Sequence, residues 1–258
     1  MKKTFVNGLD LWQFENLASL TSIQHFVTDR SSYTSDEEFT LSFSSSPDRA
    51  FIQNNRSLLA TAMGVQASSL YFPSQVHKTR ILQVSASTSK EELMETDALL
   101  TSEIGICIAV MSADCVPILL YDKKNNAVGA VHSGWRGTVA RILEKTLYEM
   151  QCIFGTKGED VYAGIGPSVS MDSYEVGNEV VLEVQQSFGH KNDLMIPLSN
   201  NKAKFDLWKA NKVQLLEFGV LPSRIEISEL CTVKHNQHFF SARKGDSGRF
   251  AAGIMINH

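Results

Sequence analysis

Several features that would take this chain out of the ordinary globular class are missing. No apolar run approaches the roughly 20 residues of a membrane span; the longest are 105–111 and 116–121. Met1-Lys2-Lys3 resembles the start of a signal peptide, but Asn7, Gly8 and Asp10 interrupt it at once, so no secretory signal is expected. The four cysteines (Cys107, Cys115, Cys152, Cys231) are too sparse and scattered for a disulfide scaffold. Free thiols in a reducing cytoplasm are expected instead. Lys+Arg 24 against Asp+Glu 28 gives a net charge of −4, without the basic excess of a nucleic-acid binder. Gly 16 and Pro 6 exclude collagen-like and low-complexity classes. What is present is 258 residues with 43% hydrophobic content, ample chain for a buried core. With no repeat and no Pro/Gly/Ser-rich linker, one domain over 1–258 is the simplest organisation.

Periodicity predicts strands at 106–111, 116–121 and 127–132, with the turn Lys123-Lys124-Asn125-Asn126 before the last. A helix is predicted over 136–154, its core face formed by Val139, Leu143, Leu147, Met150 and Phe154. Earlier, Ser46 as cap, Pro47 at the first position and Gly64 past the end frame a helix over 47–63. Further elements are a strand at 161–165, a helix at 179–188, a helix at 207–218 capped by Asp206 and stopped by Gly219, and strands at 225–228 and 250–256. Strands grouped between helices predict a mixed α+β fold rather than strict βαβ alternation.

Three segments carry candidate chemistry: Gln75-Val76-His77, Ala113-Asp114-Cys115, and His132-Ser133-Gly134-Trp135-Arg136-Gly137. Cys115 and His132 flank the 116–121/127–132 pair, so a hairpin brings them out at one end. A thiolate with imidazoles suits zinc, and three protein ligands leave a fourth position open, as a catalytic site needs. A metal-free Cys115–His132 nucleophile pair is equally economical. The plain alternatives are a buried small thiol for Cys115 and a solvated ring for His77. Gly134 to Gly137 opens a helix and, with Arg136, could bind an anion; a tight turn with a surface Arg is the alternative. The polar loop 241–249, containing Arg243, could grip a phosphate or carboxylate or be an exposed hairpin loop. His235 and His238 are expected at the surface.

These motifs occur in order with Asp97-Ala98-Leu99-Leu100-Thr101, Val116-Pro117, Gly164-Ile165-Gly166-Pro167, Tyr174-Glu175-Val176-Gly177, Phe239-Phe240-Ser241 and Gly248-Arg249. Together they resemble the bacterial YfiH/YlmD family, once called polyphenol oxidases or laccases and related to the animal protein laccase domain-containing 1. The resemblance covers about residues 20 to 256. It implies one α+β domain of layered mixed sheets flanked by helices, and one zinc held by His77, Cys115 and His132. It also implies purine nucleoside chemistry: phosphorolysis of adenosine, inosine and methylthioadenosine, and deamination of adenosine. A role with peptidoglycan precursors attaches to some members. This chain departs from the family pattern at Lys78, Thr40, Ser173 and Ala242, and keeps the three metal positions.

A multicopper laccase needs a blue-copper site plus a cluster of about eight further histidines. The chain has 7 histidines in all and no His-x-His pair, so copper is expected only as a substitute in the zinc site. Phosphorolysis needs an anion cradle, with Arg136 and Arg243 the candidates. Deamination needs an activated water and a proton carrier, with Asp114 and Glu175 the candidates. The expected partners are purine nucleosides and phosphate, with no nucleic acid and no membrane. Two other classes stay open: the metal-free hydrolase, and a binding protein whose zinc is structural.

Overall fold

Every residue of β8 (Val116–Asp122) and β9 (Ala127–Ser133) is buried, so these apolar runs are strands covered on both faces. The computed structural model describes residues 1–31, 38–46, 48–189 and 193–257. Within them β8 and β9 lie at the centre of a six-stranded sheet. Its order is β14 (Ile225–Ile227), β10 (Val161–Ile165), β8, β9, β6 (Ala98–Thr101) and β5 (Ile81–Gln83). A second six-stranded sheet runs β1 (Lys2–Val6), β2 (Leu9–Gln13), β3 (Ile23–Thr28), β15 (Phe250–Ile256), β7 (Cys107–Ser112) and β4 (Leu70–Tyr71). A small third sheet joins β11 (Glu175–Val176), β13 (Ala203–Phe205) and β12 (Met195–Pro197). The helices are α1 (Glu15–Ala18), α2 (Arg49–Ala62), α3 (Trp135–Val139), α4 (Ile142–Phe154), α5 (Asn178–Phe188) and α6 (Leu207–Glu217).

The period of two divides the core into layers. Leu119 and Tyr121 of β8 face Ile108, Val110, Ala252 and Ile254 of the other large sheet. Ile118 and Leu120 face the opposite way, against Leu143, Leu147 and Met150 of α4 and Leu215 of α6. Cys107, Ala109 and Met255 form the outer face of the second sheet and pack on Leu59 and Ala60 of α2. The result is the expected α+β fold, with two mixed sheets face to face and helices outside each. No helix among the described residues is long and apolar enough to cross a membrane.

Three local expectations need correction. The helix predicted over 136–154 is two helices, because Arg141 takes a left-handed conformation (φ 59°) between them. Its guanidinium is held by Glu144 and Glu217, and no Gly or Pro marks the break in the sequence. The helix predicted over 47–63 starts at Arg49 and is capped by Asp48, whose carboxylate accepts the N–H groups of Ala50 and Phe51, instead of by Ser46. Pro47 lies outside the described residues. His235 and His238 are not free surface groups: the His235 ring lies against the Cys231 carbonyl, and His238 Nδ1 lies 2.8 Å from the buried Asp29 carboxylate and its ring packs on Trp12.

A histidine outside any site gives the fold a pH dependence. His25 on β3 is fully buried, and its Nε2 accepts the Phe14 N–H at 2.8 Å. Burial pushes its pKa down from 6.5 to about 4. Below pH 6.5 the unfolded chain takes up a proton that the folded chain refuses until about pH 4. Stability therefore falls by about 3 kcal/mol as pH drops through that window. Urea unfolding across pH 7 to 4 should show this slope, reduced in His25→Gln, whose amide oxygen accepts the same N–H. An equal slope in both proteins would contradict it.

Candidate metal centre

The site is built where the β8–β9 hairpin ends. Asp122 Oδ1 accepts the N–H groups of Lys124 and Asn125 and closes the turn at the far end. The register then pairs Val116 with Ser133 and Pro117 with His132, so Cys115 and His132 leave the sheet together. The third segment arrives from outside the hairpin. Gln75 clamps it to β7 with two bonds of 2.8 Å, its amide donating to the Met111 carbonyl and accepting the Met111 N–H. His77 follows in a left-handed conformation (φ 60°) and turns its ring toward His132, 4.8 Å away between ring centres and nearly perpendicular. The ligand atoms of His77, Cys115 and His132 all lie within 4.8 Å of one another, close enough for a single ion.

One carboxylate organises this geometry. Asp97, fully buried at the start of β6, accepts the backbone N–H groups of His77 at 2.9 Å and Lys78 at 2.8 Å. It lies 2.8 Å from His132 Nδ1. Nδ1–H donating to the carboxylate fixes the ring's orientation and turns Nε2 toward the site, where it is the nitrogen that would ligate a metal. Burial would raise the Asp97 pKa, but the His132 and backbone bonds hold it below the usual carboxylate range. Burial likewise opposes charge on Cys115, but the adjacent imidazoles outweigh it and draw the thiol down to about 6. His132 resists its own burial and rises to about 9 because the thiolate and Asp97 face it. The two shifts together favour a Cys115 thiolate facing a His132 imidazolium in the metal-free site, so that a bound metal would take the place of the His132 Nε2 proton.

Gly134 is needed for space. A Cβ there would sit 2.9 Å from Cys115 Sγ and 3.0 Å from His77 Cδ2. Gly134→Ala should push two donors apart and weaken metal binding about 10–100-fold, the scale on which disturbed ligand support is felt. Competition against a chromogenic chelator measures this; unchanged affinity would show that the glycine is not shaping the site.

The other candidate residues are distributed around this centre. Asp114 (φ 80°) adjoins Cys115, and its carboxylate accepts the Thr232 hydroxyl at 2.6 Å and the Arg243 N–H at 2.8 Å. Arg243 stacks over Tyr174 at 4.7 Å and donates to the Glu175 carbonyl at 3.0 Å. The Glu175 side chain is exposed and paired with Lys202. Arg136 is exposed and lies over Trp135, within a five-residue helix. A cleft of about 1470 Å³ is lined by His77, Cys115, His132 and Asp114. Glu175, Arg136 and Arg243 are outside that lining, while Arg49, Arg56 and Arg249 are within it. Arg49, Arg56 and Asp97 were not singled out for a role from the sequence, and Arg249 only as the end of the 241–249 loop. A charge opening the otherwise apolar Ala98–Thr101 strand was the available signal for Asp97.

Two imidazoles and a thiolate turned into an open cleft, with a carboxylate behind one ring, make a donor set of the type found in three-ligand metal enzymes. The chain belongs to the family described as multi-copper polyphenol oxidoreductase laccase, whose model matches residues 24–257. It is 40% identical over 258 residues, 95% of each chain, to a purine nucleoside phosphorylase of Bacteroides thetaiotaomicron. It is 36% identical to adenosine deaminase RL5 of an unknown prokaryotic organism, over 80% of this chain and 82% of that one. The crystal structure of YlmD from Geobacillus stearothermophilus superposes with a TM-score of 0.89 at 27% identity, covering 99% and 98% of the two chains. The resemblance read from the motifs therefore holds. The family description names a multicopper oxidase, yet the described residues contain one His/Cys/Asp/Glu group able to hold a metal ion, and the whole chain has 7 histidines.

Proposed function

We propose that this chain is a zinc-dependent purine nucleoside enzyme. It cleaves adenosine, inosine and methylthioadenosine with phosphate to the free base and the (methylthio)ribose 1-phosphate, and it deaminates adenosine. The observation that carries this reading is the convergence of His77, Cys115 and His132 on one cleft. The names of the relatives supply the substrate class. The donor set fits zinc, since the neighbouring imidazoles favour the Cys115 thiolate, Asp97 holds His132 by Nδ1 and Gly134 leaves room. Copper is a substitute that raw affinity favours. Bound there, zinc supplies a Lewis acid and a means of activating water near neutral pH. All four cysteines are free, consistent with a reducing cytoplasm that spares Cys115 from oxidation.

The chain's own residues complete the chemistry. In phosphorolysis a phosphate oxygen bonds to the anomeric carbon as the C–N bond breaks and the base takes a proton. Asp114 is the first proton carrier proposed, supported by its place in the cleft lining beside Cys115. Glu175 is the second, at the Tyr174 side. Arg243, with Arg136, is proposed to meet the attacking phosphate from that side. Incubation with adenosine tests the reading: adenine and ribose 1-phosphate should form only with phosphate, and inosine slowly without it. Arg243→Lys should lower phosphorolysis about ten- to a hundredfold, and deamination much less, because Lys cannot make a planar two-pronged contact. Products indifferent to phosphate would overturn the phosphorylase half.

One alternative has an observation of its own. Cys115, His132 and Asp97 in sequence also outline a thiol nucleophile with its base and orienting carboxylate. A hydrolase of that kind survives chelation and dies on alkylation, whereas the zinc enzyme loses activity to the chelator.

A further inference from the structure

Part of the cleft lining is cationic, and none of its arginines has an ion-pair partner among the described residues. Phe43 carries two guanidinium groups on its ring, Arg49 at 4.6 Å and Arg56 at 4.3 Å. Arg56 also lies over Phe72 at 4.5 Å, and its Nε donates to the Leu41 carbonyl at 2.9 Å. That stacking leaves the terminal nitrogens of Arg56 without a hydrogen bond among the described residues. Arg49 has no hydrogen bond or ion pair among them either, and the nearby Asp48 carboxylate is spent on the helix N–H groups. Arg249 joins the same lining, its guanidinium fixed on three carbonyls of its own loop.

Two like charges held on one aromatic ring repel each other, and no carboxylate among the described residues is paired with either. Burial, and after it the charge of Arg49, lowers the Arg56 pKa to about 10. An oxyanion placed between the two forks would satisfy both, and Arg is the side chain whose geometry matches a phosphate bidentately. The cleft is also larger than the roughly 300–1,000 Å³ of a site for one small ligand. His77, Cys115 and His132 account for only part of its lining.

We propose that Arg49 and Arg56, presented by Phe43 and Phe72, form a phosphate subsite in the same cleft as the metal centre, distinct from the Arg136/Arg243 side. It rests on the nucleoside reading only for the source of the phosphate. The group is either free orthophosphate or the 5′-phosphate of a nucleotide, and the two sources are separable.

Titration calorimetry of the zinc-loaded protein with orthophosphate and with adenosine 5′-monophosphate tests this. Arg56→Gln and Arg49→Gln should each weaken binding about ten- to a hundredfold, the effect of one lost charge-assisted bond. Arg49 is exposed, so its variant decides the matter should Arg56→Gln unfold early. Weakened orthophosphate binding identifies the free ion as the occupant; weakening confined to the nucleotide identifies a substrate-borne phosphate. If the wild type binds neither probe, or both variants bind both probes as the wild type does, the subsite is refuted. The adenosine product assay on the wild type stands apart: its failure with the binding result intact removes the phosphorylase reading and leaves the subsite.

Discussion

Cys115→Ala is expected to leave the protein folded and without its metal. Cys115 supplies the only thiolate of the set, and Ala leaves two imidazoles, of which His77 sits on a loop at the protein surface. Residual zinc after dialysis should fall below about a tenth of the wild-type content, since a two-ligand site lacks the closed chelate that three donors make. Adenosine turnover should fall roughly a thousandfold, as several kcal/mol of charge stabilisation disappears with the ion. The variant should unfold cooperatively near the wild-type apoprotein, because the core clusters do not include this side chain. Elemental analysis showing full zinc, or turnover within a few-fold of wild type, would remove Cys115 from the site.

Asp97→Asn should come close to the same loss without touching a ligand. The carboxylate accepts the N–H groups of Val76, His77 and Lys78 and faces His132 Nδ1, so both oxygens are committed. An amide replaces one acceptor by a donor. Either it opposes the backbone N–H groups and frees the 76–78 loop, or it opposes Nδ1–H and favours the wrong tautomer of His132. Metal affinity should drop about 10–100-fold. The apoprotein should also lose about 1–3 kcal/mol, because a buried donor is left unpaired. A chelator competition together with urea unfolding of the apoprotein reads both effects. Wild-type affinity with lowered stability would make Asp97 a structural residue only.

The site was legible in the sequence to different depths. Cys115 and His132 could be brought together from the hairpin because strand register is local: two apolar runs and a four-residue turn dictate which ends meet. His77 could not be placed that way. Its position depends on the Gln75 clamp to Met111 and on Asp97, contacts between segments far apart in the chain, and only the ordered motifs pointed to it. The helix break at Arg141 was hidden for a related reason, since a left-handed arginine is held there by Glu217 from another helix. Gly134 read as a helix opening, while the structure gives it a steric duty toward Cys115 and His77 that no turn pattern encodes. The arginines on Phe43 went unnoticed because α2 reads as an ordinary amphipathic helix, and only the fold brings its first turns to the cleft.

If His77, Cys115 and His132 share one zinc ion in the cleft, the ion is visible by its own scattering. Anomalous diffraction above and below the zinc edge, from crystals of protein purified without added metal, tests it most directly. One peak per chain is expected at this site, about 2.0–2.1 Å from each imidazole nitrogen and about 2.3 Å from Sγ, present above the edge and lost below it. A signal that persists below the zinc edge and vanishes only below the copper edge would contradict the zinc assignment. A metal peak elsewhere, with Cys115 and His132 left as a bare pair, would contradict the site itself.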